Sequence, residues 1–152
     1  MEQAGKFAPW RAGAIYALAA FLIGFVFGTV RVTLVAPRVG AFVAVALEAA
    51  PMLIACWFVC RAVVRHGAIP PGRLSRLAMG AWALALLLAA ETALGVFGFG
   101  RGLTEQLAAL ATAAGALGLA AQIAFALLPL IQGELDIRFG VQRSRAAAQR
   151  AK

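Results

Sequence analysis

Three charged residues, Arg31, Glu48 and Glu91, lie inside long apolar stretches of the sequence. A charge at the centre of a lipid bilayer is costly, by at least about 2.5 kcal/mol on insertion scales, so such residues usually face the interior of a helical bundle and find a partner. A cluster of this kind can pin helices together, or it can hold a proton, a cation or a charged substrate. It can also contact a partner protein or a lipid head group. The three residues are therefore the candidate functional residues of this chain.

A proline follows the first of the two carboxylates. Pro51 lies three residues after Glu48, and proline frees the carbonyl four residues earlier, here that of Leu47, and bends the helix. A bent helix with a nearby carboxylate can build an ion site, although prolines are also commoner in membrane helices in general. We predict a helix kink at Pro51.

Four residues of the same segment follow one another at i, i+4 spacing and form a stripe: Glu48, Met52, Cys56 and Cys60. The last three carry soft sulfur atoms. Sulfur ligands suit Cu(I), but the stripe rotates by about 40° per step, and Met and Cys are ordinary fillers of apolar space. We therefore predict no metal and no cofactor. The sequence contains no P-loop, G-x-S-x-G, H-E-x-x-H or paired-Cys redox motif, so we expect no catalytic residues and favour a protein that is not an enzyme.

The composition indicates that lipid is the solvent of the elements that carry these residues. Of the 152 residues, 63% are hydrophobic and 13% are charged, whereas soluble domains average about 25% charged residues. A net charge of +8 can indicate nucleic-acid binding. We exclude it because the basic residues flank apolar stretches instead of forming a basic stripe with interleaved aromatics.

Four apolar segments are long enough to cross a bilayer, which takes about 20 residues. They cover residues 12–36, 39–64, 77–99 and 104–131. We predict that Thr104 caps the fourth helix. The sequence Pro70-Pro71-Gly72 is expected to end the helical structure between the second and the third spans. A basic polar tail covers residues 133–152. We predict a single all-α membrane domain, an antiparallel bundle of four transmembrane helices.

The distribution of basic residues predicts the orientation of the bundle, since cytoplasmic loops are enriched in Lys and Arg. Three of the 14 basic residues, Arg31, Arg38 and Arg101, fall towards one side of the membrane. The other 11 share the side of both termini and the middle loop: Lys6, Arg11, Arg61, Arg65, Arg73, Arg76, Arg138, Arg143, Arg145, Arg150 and Lys152. We predict that both termini are cytoplasmic.

The depths of the three intramembrane charges predict which of them pair. At about 1.5 Å per residue, Arg31, Glu48 and Glu91 lie roughly 8, 14 and 12 Å below the outer face. Helical side chains lean towards the N-terminus of their own helix, so Arg31 leans inward and Glu48 leans outward. We predict an Arg31–Glu48 pair, with Glu91 as the less compensated carboxylate. Gln122, a lone polar residue on the fourth span, is expected to bond to another helix.

The segment GFVFGTVRVTLVAPRVGAFVAVALEAAP, residues 24–51, and the segment AAETALG around Glu91 resemble a group of small uncharacterised four-span inner-membrane proteins of proteobacteria. The resemblance covers most of the four-helix region. It implies a bacterial inner-membrane location and this topology, and it carries no assigned activity.

The sequence is compatible with two classes of function. The first is a non-catalytic membrane protein, an accessory or scaffold subunit, in which Arg31 and Glu48 pin the bundle. The second is a small transporter or an ion- or proton-coupled protein that uses Glu48 and Glu91. The expected partners are the lipid bilayer and either another membrane protein or a second copy of the chain. A polar cavity that reaches Glu91 would favour transport, whereas a sealed bundle would favour the accessory role.

Overall fold

The computed structural model describes residues 2–66, 69 and 72–150, and the side chains of residues 8–66, 69 and 72–138. Within this part of the chain every regular element is helical, which confirms the predicted all-α class. The described elements are α1 (Glu2–Val30), a π-helical segment π1 (Arg31–Val35), α2 (Ala36–Val39), α3 (Ala41–His66), α4 (Arg73–Ala93), a second π-helical segment π2 (Leu94–Gly98), α5 (Leu103–Leu110) and α6 (Ala113–Arg150).

Four helical segments of the described chain are long and apolar enough to cross a membrane. They are Ala8–Val39, Ala41–His66, Arg73–Gly98 and Ala113–Arg138. The first three coincide with the predicted spans to within a few residues. The chain is therefore a multi-pass membrane protein, as its composition indicated.

The fourth span begins later than predicted. A short helix, α5, precedes it, and the chain turns at Ala111 and Thr112. The Thr112 hydroxyl donates to the Ala109 carbonyl at 2.7 Å and accepts from the Gly115 N–H at 3.1 Å, so Thr112 caps α6. The predicted cap at Thr104 is wrong, because Thr104 lies inside α5 and Gly102 occupies the N-cap position.

The polar tail is also not separate from the fourth span, since α6 continues without a break to Arg150. The side chains of residues 139–152 lie outside the described residues. So do Pro70 and Pro71 of the predicted turn, which falls between the end of α3 at His66 and the start of α4 at Arg73.

The four spans form a ring in which consecutive spans run in opposite directions. Helix α1 packs against α3 and α4, and α6 packs against the same two helices. The order around the ring is therefore α1, α3, α6, α4, with α1 and α6 on one diagonal and α3 and α4 on the other.

The core of the bundle occupies only one end of the ring. The buried apolar residues that pack together are Ala12, Tyr16, Ala17, Ala20, Cys56, Cys60, Met79, Ala83, Leu87, Phe125, Ala126 and Leu128. We call this the closed half. In residues 21–50 and 88–122, which we call the open half, only Ala44 and Gly95 are buried. The helices therefore pack tightly at the end where α1 and α4 begin and stay accessible at the other.

Close backbone contacts explain the tight packing of the closed half. A Cβ atom on Gly80 of α4 would overlap the carbonyl oxygen of Ala126 on α6, and one on Gly13 of α1 would lie 2.8 Å from the carbonyl oxygen of Met79. Glycine at both positions lets the backbones approach, which is how helices commonly associate in membranes.

A tyrosine crosses the ring in the same half. Pro129 has no N–H, so the Phe125 carbonyl one turn earlier loses its helical donor. The Tyr16 hydroxyl of α1 donates to this carbonyl at 3.2 Å, and the Tyr16 and Phe125 rings stack with centroids 4.3 Å apart. Tyr16 therefore both fills the core and satisfies the backbone group that the proline freed.

Candidate functional site

The predicted pair between the first two spans is present in the structure. Arg31 Nε lies 2.5 Å from Glu48 Oε2, with side-chain exposed fractions of 33% and 16%. The two side chains therefore form an ion pair between the first two spans. A buried charge that lost such a partner would be strongly disfavoured.

A glycine turn sets the register of this pair. Gly40 has a φ of +82°, a conformation that L residues with side chains rarely adopt, and it separates α2 from α3. Arg31 lies nine residues before Gly40, and Glu48 lies eight residues after it. The two antiparallel helices therefore bring them to the same level, where the opposite lean of their side chains closes the gap.

The second pair joins the other two spans and contains no cation. Gln122 Nε2 of α6 donates to Glu91 Oε2 of α4 at 2.6 Å, which confirms that Gln122 bonds to another helix. Glu91 is exposed. Among the described side chains, no basic nitrogen lies within 4 Å of its carboxylate.

The two pairs form one polar layer, which we define as Arg31, Glu48, Glu91 and Gln122. Each residue comes from a different span: Arg31 and Glu48 pair between the first two spans, and Glu91 and Gln122 pair between the last two. With both carboxylates ionised the layer carries a net charge of −1. The layer therefore joins all three charges that the sequence analysis singled out, and adds the amide of Gln122.

The polar layer lies at the base of the open half. Leu87, one turn before Glu91, and Phe125, three residues after Gln122, belong to the buried core. Side chains beyond the layer, towards Gly40 and Gly100, are largely exposed. The layer thus separates a closely packed half of the bundle from an accessible one.

Both π-helical segments begin next to this layer. Segment π1 starts at Arg31 itself, and π2 starts three residues after Glu91. Single π-helical turns inside α-helices occur frequently at functional sites. No residue type marks these turns, so they could not be predicted from the sequence.

Pro51 lies inside α3, and the helix continues on both sides of it. Leu47, whose carbonyl loses its helical donor to the proline, is exposed in the open half. The kink at Pro51 stays a prediction.

The sulfur-containing residues of the stripe, Met52, Cys56 and Cys60, belong to the core or pack against it, whereas Glu48 belongs to the polar layer. Cys56 and Cys60 are free thiols, each exposed by 1% or less, in the closed half. Among the described residues, no three His, Cys, Asp or Glu side chains group as a metal site.

A second polar cluster, which the sequence analysis missed, ties the closed end together. Arg73 of α4 binds Glu134 of α6 through two contacts of 2.5 and 3.0 Å. Asp136 lies 3.8 Å from Arg61 and 3.9 Å from Arg76. These acids were assigned to the polar tail, but the continuation of α6 places them beside the basic ends of α3 and α4.

A buried amide lies just inside this cluster. Gln132 is 1% exposed and donates to the Trp57 carbonyl at 2.8 Å, which joins α6 to α3. Gln132 therefore adds an interhelical hydrogen bond to the ion pairs that join α6 to α3 and α4 at the closed end.

A shallow apolar groove runs along the open half of α4 and π2. Its volume is about 570 Å³, and it is lined by Leu88, Ala89, Thr92, Ala93, Val96, Phe97 and Leu103. At 3.6 residues per turn, Ala89, Thr92 and Ala93 point away from the face of α4 that carries Glu91, so the groove is separate from the polar layer.

The fold and the polar layer define a multi-pass α-helical membrane protein with charged residues at membrane depth. Comparison of the chain with protein-family models, with curated proteins and with solved structures gives no match.

Proposed function

We propose that the chain is a non-catalytic accessory or scaffold subunit of a membrane complex in the bacterial inner membrane. The observation that carries this proposal is the one-sided packing of the bundle: the closed half is sealed, while the open half leaves Glu91 exposed within an apolar span. An accessible carboxylate at this depth is costly in hydrocarbon. Contact with another membrane protein would remove that cost.

The same proposal places both termini in the cytoplasm. Eleven of the 14 basic residues belong to the closed end and the segments that flank it, and cytoplasmic segments are enriched in Lys and Arg. Trp10 and Trp82, whose rings contact edge to face at 5.4 Å, lie towards the same end, where an aromatic belt at the membrane surface is typical. The resemblance to proteobacterial inner-membrane proteins supports the same location.

Gentle purification from native membranes tests the accessory role. With a tag placed after Lys152, we expect mass spectrometry to identify one stoichiometric membrane partner. Glu91→Ala should reduce its recovery, because the substitution removes the exposed carboxylate. Glu105→Ala is the matched control, since Glu105 is an exposed carboxylate on α5 outside the polar layer. Recovery of the chain alone, or only with copies of itself, would contradict the proposal.

A second candidate is a small transporter or proton-coupled protein that uses Glu48 and Glu91. The exposure of Glu91 beside an Arg31–Glu48 pair favours it, because a carboxylate that is accessible at membrane depth can take up and release a proton. Purified chain in liposomes should then show pH-dependent ion flux that Glu91→Gln abolishes. Flux no greater than that of empty liposomes would remove this candidate.

A further inference from the structure

The shallow groove on α4 and π2 combines small and large apolar side chains. Ala89 and Ala93, one turn apart, are small and exposed, and Thr92 is the single polar residue of the lining. Phe97 and Leu103, which line the same groove, are large and exposed. A depression of this kind on a membrane-spanning helix offers dispersion contacts to a flexible apolar chain that lies along the helix.

The length of the groove matches one leaflet of the bilayer. Leu88, its deepest residue, lies ten residues before Gly98, where the third span ends. At 1.5 Å per residue this is about 15 Å, half of the roughly 30 Å of a hydrocarbon core. A transmembrane helix seated on α4 would contact both leaflets, whereas an acyl chain ends near the middle of the bilayer. The groove therefore fits an acyl chain of the leaflet at the open end.

A basic residue lies at the mouth of the groove. Arg101 is exposed in the turn between π2 and α5, two residues before Leu103 of the lining. Its guanidinium lies 5.6 Å from the centre of the Phe99 ring, and no carboxylate of the described side chains lies within 4 Å of it. Glu105 is about 200° around α5 from Leu103, on the face away from the groove. The charge at the mouth is therefore positive.

We propose that this groove binds one anionic phospholipid of the leaflet at the open end. The acyl chain lies along Ala89 and Ala93, and the Arg101 guanidinium binds phosphate oxygens of the head group, a pairing that two parallel N–H donors favour. The ammonium of a phosphatidylcholine head group cancels the charge of its phosphate, so phosphatidylglycerol binds more strongly. The proposal goes beyond the accessory role and depends only on the membrane location of the chain.

Quenching by brominated lipids measures this preference at the groove itself. The reporter is Phe97→Trp in the full-length chain, reconstituted in phosphatidylcholine bilayers that contain increasing mole fractions of phosphatidylglycerol with brominated acyl chains. The signal of the chain without the reporter is subtracted, which removes the native tryptophans. We expect quenching that corresponds to an about fivefold preference for phosphatidylglycerol over phosphatidylcholine, because one basic side chain near a membrane surface attracts an anionic lipid by about this factor.

Variants that carry the same reporter assign the two parts of the site. Arg101→Gln should abolish the preference and Arg101→Lys should retain it, whereas Arg38→Gln, at the other exposed arginine of the open end, should leave it unchanged. Ala93→Leu should weaken the preference, because the larger side chain fills the groove. Ala85→Leu is the matched control, since Ala85 is an exposed alanine of α4 outside the groove.

Four results would overturn the proposal. Quenching that follows the mole fraction of phosphatidylglycerol would show that the groove selects no lipid, and a preference that persists in Arg101→Gln would place the head group elsewhere. Equal preferences in Ala93→Leu and Ala85→Leu would show that no acyl chain lies in the groove. Quenching that falls as the ratio of protein to lipid rises would place a second copy of the chain there instead.

Discussion

The polar residues of the four spans differ in whether their side-chain partner is charged or neutral. Arg31 and Glu48 have each other, whereas Glu91 has the amide of Gln122. The difference arises because the first two spans bring opposite charges to one level, while the last two bring one carboxylate and one neutral side chain. Loss of one member therefore has different consequences in the two pairs.

Substitution of the ionic pair should reveal coupling between its members. Arg31→Gln and Glu48→Gln should each lower the free energy of unfolding by about 1 kcal/mol or more, because each leaves a charge without its partner. The double variant should lose less than the sum, by about 0.6–1.7 kcal/mol. Unfolding in detergent with increasing denaturant measures this. Arg38→Gln at the open end is the control with little expected effect, and strictly additive losses would show that the pair contributes no coupling.

The hydrogen bond from the Tyr16 hydroxyl to the Phe125 carbonyl should contribute more to stability when Pro129 is present, because the proline leaves this carbonyl without a helical donor. Tyr16→Phe keeps the stacked ring and removes the hydroxyl, so it should cost about 1 kcal/mol. In a Pro129→Ala background the backbone regains an N–H at this position that can reach the Phe125 carbonyl, and Tyr16→Phe should then cost clearly less. The same unfolding measurement tests both, and an equal cost in the two backgrounds would show that the hydroxyl does not act through this carbonyl.

At the scale of elements, the crossing of α4 and α6 brings two backbones into direct contact. Gly80 lies directly against the Ala126 carbonyl, so a side chain there must push the two helices apart. The crossing also fixes where α6 meets the closed end, and with it the positions of Gln132, Glu134 and Asp136. A change at Gly80 should therefore act on the whole closed half.

A single methyl group tests this crossing. Gly80→Ala should destabilise the protein by about 1–3 kcal/mol, the usual cost of overpacking, and lower the melting temperature. Gly118→Ala on α6 is the matched control, because no atom lies within 4 Å of its added Cβ. It should be neutral or slightly stabilising, since alanine favours helix more than glycine by about 1 kcal/mol. Equal effects of the two would mean that the close contact carries no packing energy.

At the scale of the whole molecule, the bundle is a sealed half joined to an accessible half. Ion pairs among α3, α4 and α6 add to apolar packing at the closed end, whereas the polar layer contributes one ion pair and one hydrogen bond between helices of the open half. Openings of low free energy are expected where few buried contacts hold the structure. Motions and binding should therefore concentrate in the open half.

Cysteine labelling tests both the asymmetry and the orientation. In intact cells, a membrane-impermeant maleimide should label Arg101→Cys, in the exposed turn at the open end, at least about tenfold faster than Leu87→Cys, because the buried position reacts only after local opening. Leu87 is 5% exposed, and the native Cys56 and Cys60 are buried, so the background should be low. Labelling of Arg101→Cys only after cell lysis would place the open half on the cytoplasmic side and contradict the proposed topology.

The sequence by itself determined the class of the protein and much of its polar layer. Long apolar runs predict membrane helices because the bilayer sets their length, and the first three spans were found where they were expected. The Arg31–Glu48 pair was predictable because the two residues flank a tight turn and lean towards each other. The break at Ala111 and Thr112 was not, since neither Gly nor Pro marks it in the sequence.

Only the tertiary structure decided which faces pack and which stay accessible. In a membrane, an apolar side chain gains no hydrophobic energy by moving from lipid to protein, so hydropathy does not separate core from surface. The order of helices around the ring, the choice of Glu91 as the partner of Gln122, and the close packing of one half could therefore not be predicted from the sequence. They depend on how the helix surfaces fit together, above all at the glycines where two backbones come into contact. They also depend on the continuation of α6, which brings Glu134 and Asp136 to the C-terminal end of α3 and the N-terminal end of α4.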